Sequence, residues 1–260
     1  MEEKKYLVLK VGGGEVDDPG FLSSLAGVVR SIEARTVIVH GGGKEIGSWL
    51  KALGQEARFY QGLRVTDEQA VAVVEMVLSG LVNKRLTGSL VKAGVEALGI
   101  SGRDLGLVRA RKLEPDGVDL GHVGEPAEVR VTTLAKLCSL GLVPVISPVS
   151  QAAGGEVFNI NADHMAAAMA VALGASEMVF LSNVPGVLDS DGKALESLTP
   201  DKIESLIGQG VIASGMVPKV RSALEALEAG VPRVLITNLE GLRKHLAGQP
   251  APTLVRKLEV

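Results

Sequence analysis

Two stretches of this sequence pair a basic side chain with a run of glycines: Lys10-Val11-Gly12-Gly13-Gly14 and His40-Gly41-Gly42-Gly43. Glycines let backbone N–H groups come close to an anion and a lysine adds a point charge, so the chemistry on offer is phosphate binding. The second run opens a helical pattern from Lys44 to Leu53, and the amino-terminal end of a helix favours phosphate in its own right. Standard nucleotide fingerprints do not fit. No Ser or Thr follows Gly43-Lys44, as a Walker loop requires, and Ile46 occupies the last glycine position of the dinucleotide pattern. Taken singly, each run is more often a strand-to-helix turn than a phosphate cradle. The same holds for three polar clusters. Asn159-Ile160-Asn161-Ala162-Asp163 and Gly215-Met216-Val217-Pro218-Lys219 each precede an apolar helical pattern, where Asn and Asp are good caps and a lysine is usually solvated. Gly62-Leu63-Arg64-Val65-Thr66-Asp67 reads locally as a turn with a helix cap at Thr66, leaving Arg64 free to point into water.

The elements that must hold these groups alternate along the chain. Tyr6 to Val11, Thr36 to Val39, Val143 to Ser147, Met178 to Leu181 and Arg233 to Thr237 are unbroken apolar runs, as in a parallel sheet covered on both faces. Asp18-Pro19 and Thr199-Pro200 each set a cap before a proline at the first helical position. Such alternation predicts an α/β fold. Both glycine runs then fall at the carboxyl ends of strands, where they suggest one crevice. The helix after Thr66 repeats Val71, Val74, Leu78, Leu81 and Val82 at helical spacing, predicting a face buried against the sheet or a partner subunit. Residues 95–131 read as a β-hairpin region attached to the sheet, and Gln151 to Glu156 as a mobile glycine-rich loop. One large domain or two lobes would both fit; with two lobes, the boundary falls near Gly174, giving 1–174 and 175–260.

Composition narrows the function classes. With 46% of its 260 residues apolar, the chain can bury a core without disulfides or a structural metal. Its net charge of −3, from 27 basic and 30 acidic residues without long like-charge blocks, gives no footprint for nucleic acid or an anionic membrane. At 3% aromatic residues it also lacks stacking platforms for single strands. The Ala-rich stretch Met165 to Leu173 stops at Gly174, short of the roughly 20 residues of a membrane span, and no leader pattern precedes Tyr6. A cytoplasmic protein with a small-molecule ligand is expected. The single cysteine, Cys138, falls among Leu134, Leu137 and Leu140 and reads as a core thiol. The four histidines, at 40, 122, 164 and 245, lack zinc-like spacing.

Together and in this order, the five segments resemble the amino acid kinase family. The resemblance runs over almost the whole chain and takes in Val82-Asn83-Lys84, LGHVG from Leu120 to Gly124 and LSNVPGVLD from Leu181 to Asp189. It implies a three-layer α/β/α sandwich with a mainly parallel central sheet, lobe 1–174 taking an amino acid substrate and lobe 175–260 taking ATP. Within the family, GLRVTD is similar to members that phosphorylate the γ-carboxylate of N-acetyl-L-glutamate in arginine biosynthesis. The resemblance further implies that Lys10 and Lys219 reach the transferring phosphoryl group from opposite sides, with Asp163 between them holding both ammonium groups. Backbone N–H groups of Gly13, Gly42 and Gly43 would meet the γ-phosphoryl oxygens, while Arg64 and Asn159, with Gly42 and Gly43, hold the substrate. ATP is expected near Asn183, Val184, Pro185, Gly186, Val187 and Leu188 and near Val211, Ile212 and Ala213. It brings Mg²⁺ on its own phosphates, with no metal held by the protein. A γ-carboxylate is already ionised at neutral pH, so no catalytic histidine is required. Relatives commonly carry aspartate where this chain has Asn183.

Two other functions fit the same pattern. One is a kinase of lysine biosynthesis whose aminoadipate or glutamate is attached through its amino group to a small acidic carrier protein. The other is a non-catalytic nucleotide-binding regulator on the same fold, against which the retention of Lys10, Asp163 and Lys219 argues. Arginine-inhibited relatives carry an extra amino-terminal helix that links dimers into a hexamer. Only five residues precede Tyr6 here, too few for such a helix. A homodimer insensitive to arginine is therefore expected, joined through the apolar face of the helix from Asp67 onward.

Overall fold

The five apolar runs are strands, and three further strands join them in one eight-stranded sheet. The computed structural model describes residues 5–213 and 215–256; the segment ahead of the first strand lies, apart from Lys5, outside the described residues. In chain order come β1 (Tyr6–Val11), α1 (Pro19–Arg30), β2 (Arg35–His40), α2 (Gly43–Ala52), β3 (Phe59–Tyr60), β4 (Leu63–Arg64), α3 (Glu68–Glu75), α4 (Asn83–Lys92) and β5 (Ala97–Ser101). Then follow β6 (Val108–Lys112), β7 (Val123–Val129), α5 (Val131–Ser139), β8 (Val143–Ser147), β9 (Val149–Gln151), β10 (Val157–Ile160) and α6 (Ala162–Leu173). The chain continues with β11 (Glu177–Leu181), β12 (Ser197–Leu198), α7 (Pro200–Gly208), α8 (Met216–Glu228), β13 (Arg233–Thr237), α9 (Leu239–Leu246) and β14 (Leu254–Arg256).

The sheet order is β12-β14-β13-β11-β1-β2-β8-β5, with only β13 and β14 antiparallel. Side chains alternate across a strand, and β1 shows what this does. Leu7, Leu9 and Val11 enter one core cluster with residues of α1, α4 and α9, whereas Val8 enters another with residues of α5, α6 and α8. Lys10 shares the face of Val8, the face that α6 covers. The predicted caps at Asp18 and Thr199 form, accepting from the backbone N–H groups of Gly20 and Lys202.

Several expectations need correction. Thr66 is not the helix cap: it is held as a bridge to Gly121, so the helix starts one residue later, with Asp67 accepting from the Ala70 N–H at 2.8 Å. That helix also changes pitch. Met76–Val82 is π-helical between α3 and α4, and the wider turn breaks the 3.6-residue period. Leu81 is thereby exposed while Val77, Leu78 and Val82 stay buried. The apolar face of Val71, Val74, Leu78 and Val82 is consumed within this chain and is not free for a partner. β5, placed by sequence in the hairpin region, is the edge strand of the main sheet, because its Ala97 to Ser101 pair in parallel with β8. What remains of that region, β6 and β7, closes with β9 and β10 into a small barrel. Gln151 to Glu156 is the tight connection of β9 to β10, in which Ala152 N–H donates to the Glu156 carbonyl at 2.8 Å. Cys138 is buried, and that burial pushes its thiol up to about 11. Among the described residues no helix is long and apolar enough to cross a membrane.

Candidate active site

The two glycine runs meet back to back at the carboxyl ends of the neighbouring strands β1 and β2. Gly41 N–H donates to the Val11 carbonyl at 3.0 Å, and a Cβ on Gly13 would collide with the Gly42 backbone. A Cβ on Gly42 would in turn strike Leu78 and press on Val82. Only glycine allows this approach, so the close contact of the two runs, invisible in either run alone, explains why positions 13 and 42 are glycine.

Three charged groups converge on these loops. Lys10 Nζ lies 2.7 Å from Asp163 Oδ1, both side chains largely buried; the contact is one of charge rather than an aligned hydrogen bond. Asp163 is set by its place in the first turn of α6, where Asn161 caps the helix and accepts from the Asp163 N–H at 2.8 Å. Lys219 stands in the first turn of α8, which packs on α6. Its ammonium donates to Ser182 Oγ at 3.2 Å. Burial, then the charge of Lys10, lowers the Lys219 pKa, and Asp163 and Glu15 partly offset them. Asp163 thus contacts Lys10 directly and acts on Lys219 as a nearby charge. Glu15, which sequence reasoning did not single out, folds its carboxylate over Gly12.

A cavity of about 260 Å³ opens beside this cluster, lined by Lys10, Gly13, Gly42, Gly43, Arg64, Asn159 and Asp163 among others. Ligand pockets run from roughly 300 Å³ upward, so the space suits a metabolite the size of an amino acid. Arg64 is carried on a tight hairpin whose turn residues Gln61 and Gly62 both have positive φ, 47° and 81°. Its Nη2 donates to the Gly43 carbonyl at 2.8 Å, and its guanidinium lies over the Phe59 ring at 4.7 Å. The Nη1 is buried and, among the described residues, without a partner, and burial lowers the Arg64 pKa. Asn159 on β10 donates from Nδ2 to Thr66 Oγ1 at 3.2 Å. Thr66 also binds the LGHVG segment, its N–H donating to the Leu120 carbonyl at 3.0 Å and its own carbonyl accepting from the His122 N–H at 2.6 Å. Gly121, at φ 72°, leaves no room for a Cβ against the Thr66 carbonyl. Three sequence motifs therefore form one knot that holds Arg64 and Asn159 at the same cavity.

The segments expected to take a nucleotide lie elsewhere. Lys219, Asn183–Leu188 and Val211–Ala213 do not line the cavity. Val187 and Ile212 are core residues, so at those positions the backbone alone is presented. Val187 N–H is taken by Thr253 Oγ1 at 2.8 Å, whereas Asn183, Pro185 and Ala213 are exposed. Phe59 had no signal in the sequence, and Ser182 lies inside the LSNVPGVLD segment without being singled out.

The sequence profile described as the amino acid kinase family matches residues 5–238. The chain belongs to the amino acid kinase family. Among curated members, an acetylglutamate kinase of Roseiflexus sp. is 51% identical over 241 residues, covering 93% of this chain and 92% of its own length. An acetylglutamate kinase of Chloroflexus aggregans is 49% identical over 237 residues, covering 91% and 93%. Among solved structures, the N-acetylglutamate synthase of Neisseria gonorrhoeae, in complex with coenzyme A and N-acetyl-glutamate, is similar at TM-score 0.88 and 28% identity. The match covers 98% of this chain but only 60% of that longer one. The sheet, its helical layers and the paired glycine loops described above are therefore this chain's version of the amino acid kinase fold.

Proposed function

We propose that this chain is an ATP-dependent acetylglutamate kinase of arginine biosynthesis, transferring the γ-phosphoryl group of ATP to the γ-carboxylate of N-acetyl-L-glutamate. The observation that carries the substrate end is Arg64, a wall residue of the cavity with one buried guanidinium nitrogen unpartnered among the described residues. A planar fork with a free donor suits a carboxylate, and leaving such a donor unpaired is costly. The α-carboxylate of the acceptor meets Arg64, Asn159 takes its amide end, and the γ-carboxylate points toward Gly13, Gly42 and Gly43. One oxygen of that carboxylate bonds to the γ-phosphorus as the bond to ADP breaks, leaving an acyl phosphate and ADP. No proton has to move, because the nucleophile is already ionised. Catalysis then rests on positioning and charge neutralisation. Glycine amides and the ammonium groups of Lys10 and Lys219 face the equatorial oxygens, and Asp163 holds Lys10 in place.

The acceptor is assigned to residues 1–174 and the nucleotide to 175–260, along Asn183 to Leu188 and Val211 to Ala213. Mg²⁺ suits this site as an ion held by the nucleotide's phosphates, since Asp163 is already engaged by Lys10. We place the enzyme in the cytoplasm as a homodimer. Val71, Val74, Leu78 and Val82 are buried within the chain, so a contact on this helical segment would use its exposed Met76 and Leu81, with exposed Leu98 on the edge strand β5. ADP release measured with N-acetylglutamate, glutamate, N-acetylaspartate and aspartate tests the assignment. Turnover should be strongest with N-acetylglutamate. Turnover only with a carrier-linked substrate, or with none, would overturn it.

A further inference from the structure

Asn83 is a fully buried polar residue at the end of the π-helical segment, and the mechanism above does not use it. Its Nδ2 group points at acceptors on three adjacent strands: His40 Nε2 on β2 at 3.1 Å, the Val145 carbonyl on β8 at 2.9 Å and the Ile100 carbonyl on β5 at 3.3 Å. The amide is oriented by Lys84, whose Nζ donates to Asn83 Oδ1 at 3.2 Å and to the Gly99 carbonyl at 2.6 Å. Gly99 has to be glycine for this, because a Cβ there would collide with Asn83 and Thr87.

The consequence reaches the phosphate loop through His40. Accepting at Nε2 places its proton on Nδ1, which donates to the Gly41 carbonyl at 2.9 Å. Gly41 immediately precedes Gly42 and Gly43, whose amides open α2. The π-helical segment supports the same spot from below, since Leu78 and Val82 lie against Gly42. Wide turns of this kind occur mostly where a helix is bent to serve a site.

We propose that Asn83, acting through His40, is a positioning residue that fixes the Gly41 carbonyl and so aims the Gly42 and Gly43 amides at the phosphoryl group. The proposal rests on the phosphotransfer reading of the glycine loops. It assigns His40 no part in proton transfer: burial lowers its pKa to about 4, the charge of Lys84 acts in the same direction, and the hydrogen bond to the Gly41 carbonyl offsets them only in part.

Asn83→Asp separates this role from simple packing. The new carboxylate faces His40 Nε2 as a second acceptor, so the ring can donate both to it and to the Gly41 carbonyl only when doubly protonated, and as pH rises one of the two contacts is lost. Turnover of Asn83→Asp should fall about tenfold to hundredfold at pH 8, the scale of a small misplacement, and recover in part at pH 6. KM for N-acetylglutamate should stay within about twofold, because Arg64 and Asn159 are untouched. Lys84→Gln, at an exposed position, keeps the test available if Asn83→Asp does not fold. It should show the same turnover-only loss at smaller size. In both variants the amide ¹⁵N resonances of Gly41, Gly42 and Gly43 should move. A lower melting temperature with wild-type turnover per folded molecule and unmoved glycine resonances would overturn the proposal. If the wild type fails to phosphorylate N-acetylglutamate, the functional reading falls, while the glycine resonances still decide whether Asn83 sets the loop.

Discussion

Around Arg64 and Asn159 the polar groups are tied to one another: Thr66 links Asn159, Leu120 and His122, and Arg64 is anchored to Gly43 and stacked on Phe59. Around Asn183 to Leu188 and Val211 to Ala213 the ties run inward instead. Val187 and Ile212 are sunk in the core, while Asn183 and Ala213 are exposed. The acceptor end we propose is thus shaped before any ligand arrives, whereas the nucleotide end we propose offers backbone and solvent-facing surface. On the proposed function the cluster of Lys10, Asp163 and Lys219 handles the phosphoryl group, and substitutions should have their largest effects there and decline toward the exposed segments.

Lys10→Ala or Lys219→Ala should lower kcat by about 10²- to 10³-fold, as for loss of one preorganised charge-stabilising donor. Steady-state kinetics at saturating substrate measure it, and near-normal turnover in either variant would break the two-lysine account. The next effect is on Asp163. Asp163→Asn should reduce kcat well beyond any change in KM, since it releases Lys10 without removing a substrate contact. It should also move a pH limb. Lys219 must stay protonated, and because its pKa is lowered by burial and by Lys10, kcat/KM for ATP should fall at a pH below the ordinary lysine value. Asp163 raises that pKa, so the variant's limb should lie lower still. An unmoved limb would place Lys219 outside the titrating machinery.

A stability measurement sharpens the contrast from the acceptor side. His40 is held neutral by burial, its pKa lowered from 6.5 to about 4, so the unfolded chain takes up a proton before the folded one does. The associated stability is present above pH 6.5 and is lost as pH falls toward 4, on the order of 3 kcal/mol. Urea unfolding across that range should show the loss, and His40→Gln should flatten this part of it. The smallest effect belongs to Asn183. Among the described residues its exposed side chain makes one hydrogen bond, accepting from Ser182 Oγ at 3.4 Å, so Asn183→Asp should alter KM for ATP by no more than about threefold, the scale of an exposed substitution. A larger change would mean that the nucleotide end is as tightly built as the acceptor end.

How legible this was differed by element. Strands β1, β2, β8, β11 and β13 were readable because central parallel strands are apolar throughout. β12 and β14 were not, being two and three residues long. β5 was misplaced because Ala97-Leu98-Gly99-Ile100-Ser101 reads as a short broken piece; Gly99 is there to admit Asn83 and Thr87, a reason visible only in three dimensions. The candidate residues were legible as a joint pattern, but not their couplings. Nothing in GLRVTD says that Thr66 faces inward while Asp67 caps, since either residue type caps a helix well. No periodicity announces the π-helical turn that turns Leu81 outward.

The central claim is that the cavity holds a carboxylate against the Arg64 guanidinium, and it can be tested by removing each partner. Binding of N-acetylglutamate and of 4-acetamidobutanoate, which lacks the α-carboxylate, is compared by calorimetry in the wild type and in Arg64→Ala. The wild type should lose about tenfold to hundredfold in affinity when the α-carboxylate is removed, the scale of a charge-assisted hydrogen bond. Arg64→Ala should bind both molecules equally weakly. Equal loss of affinity in the two proteins would show that the α-carboxylate is held elsewhere and would contradict the account.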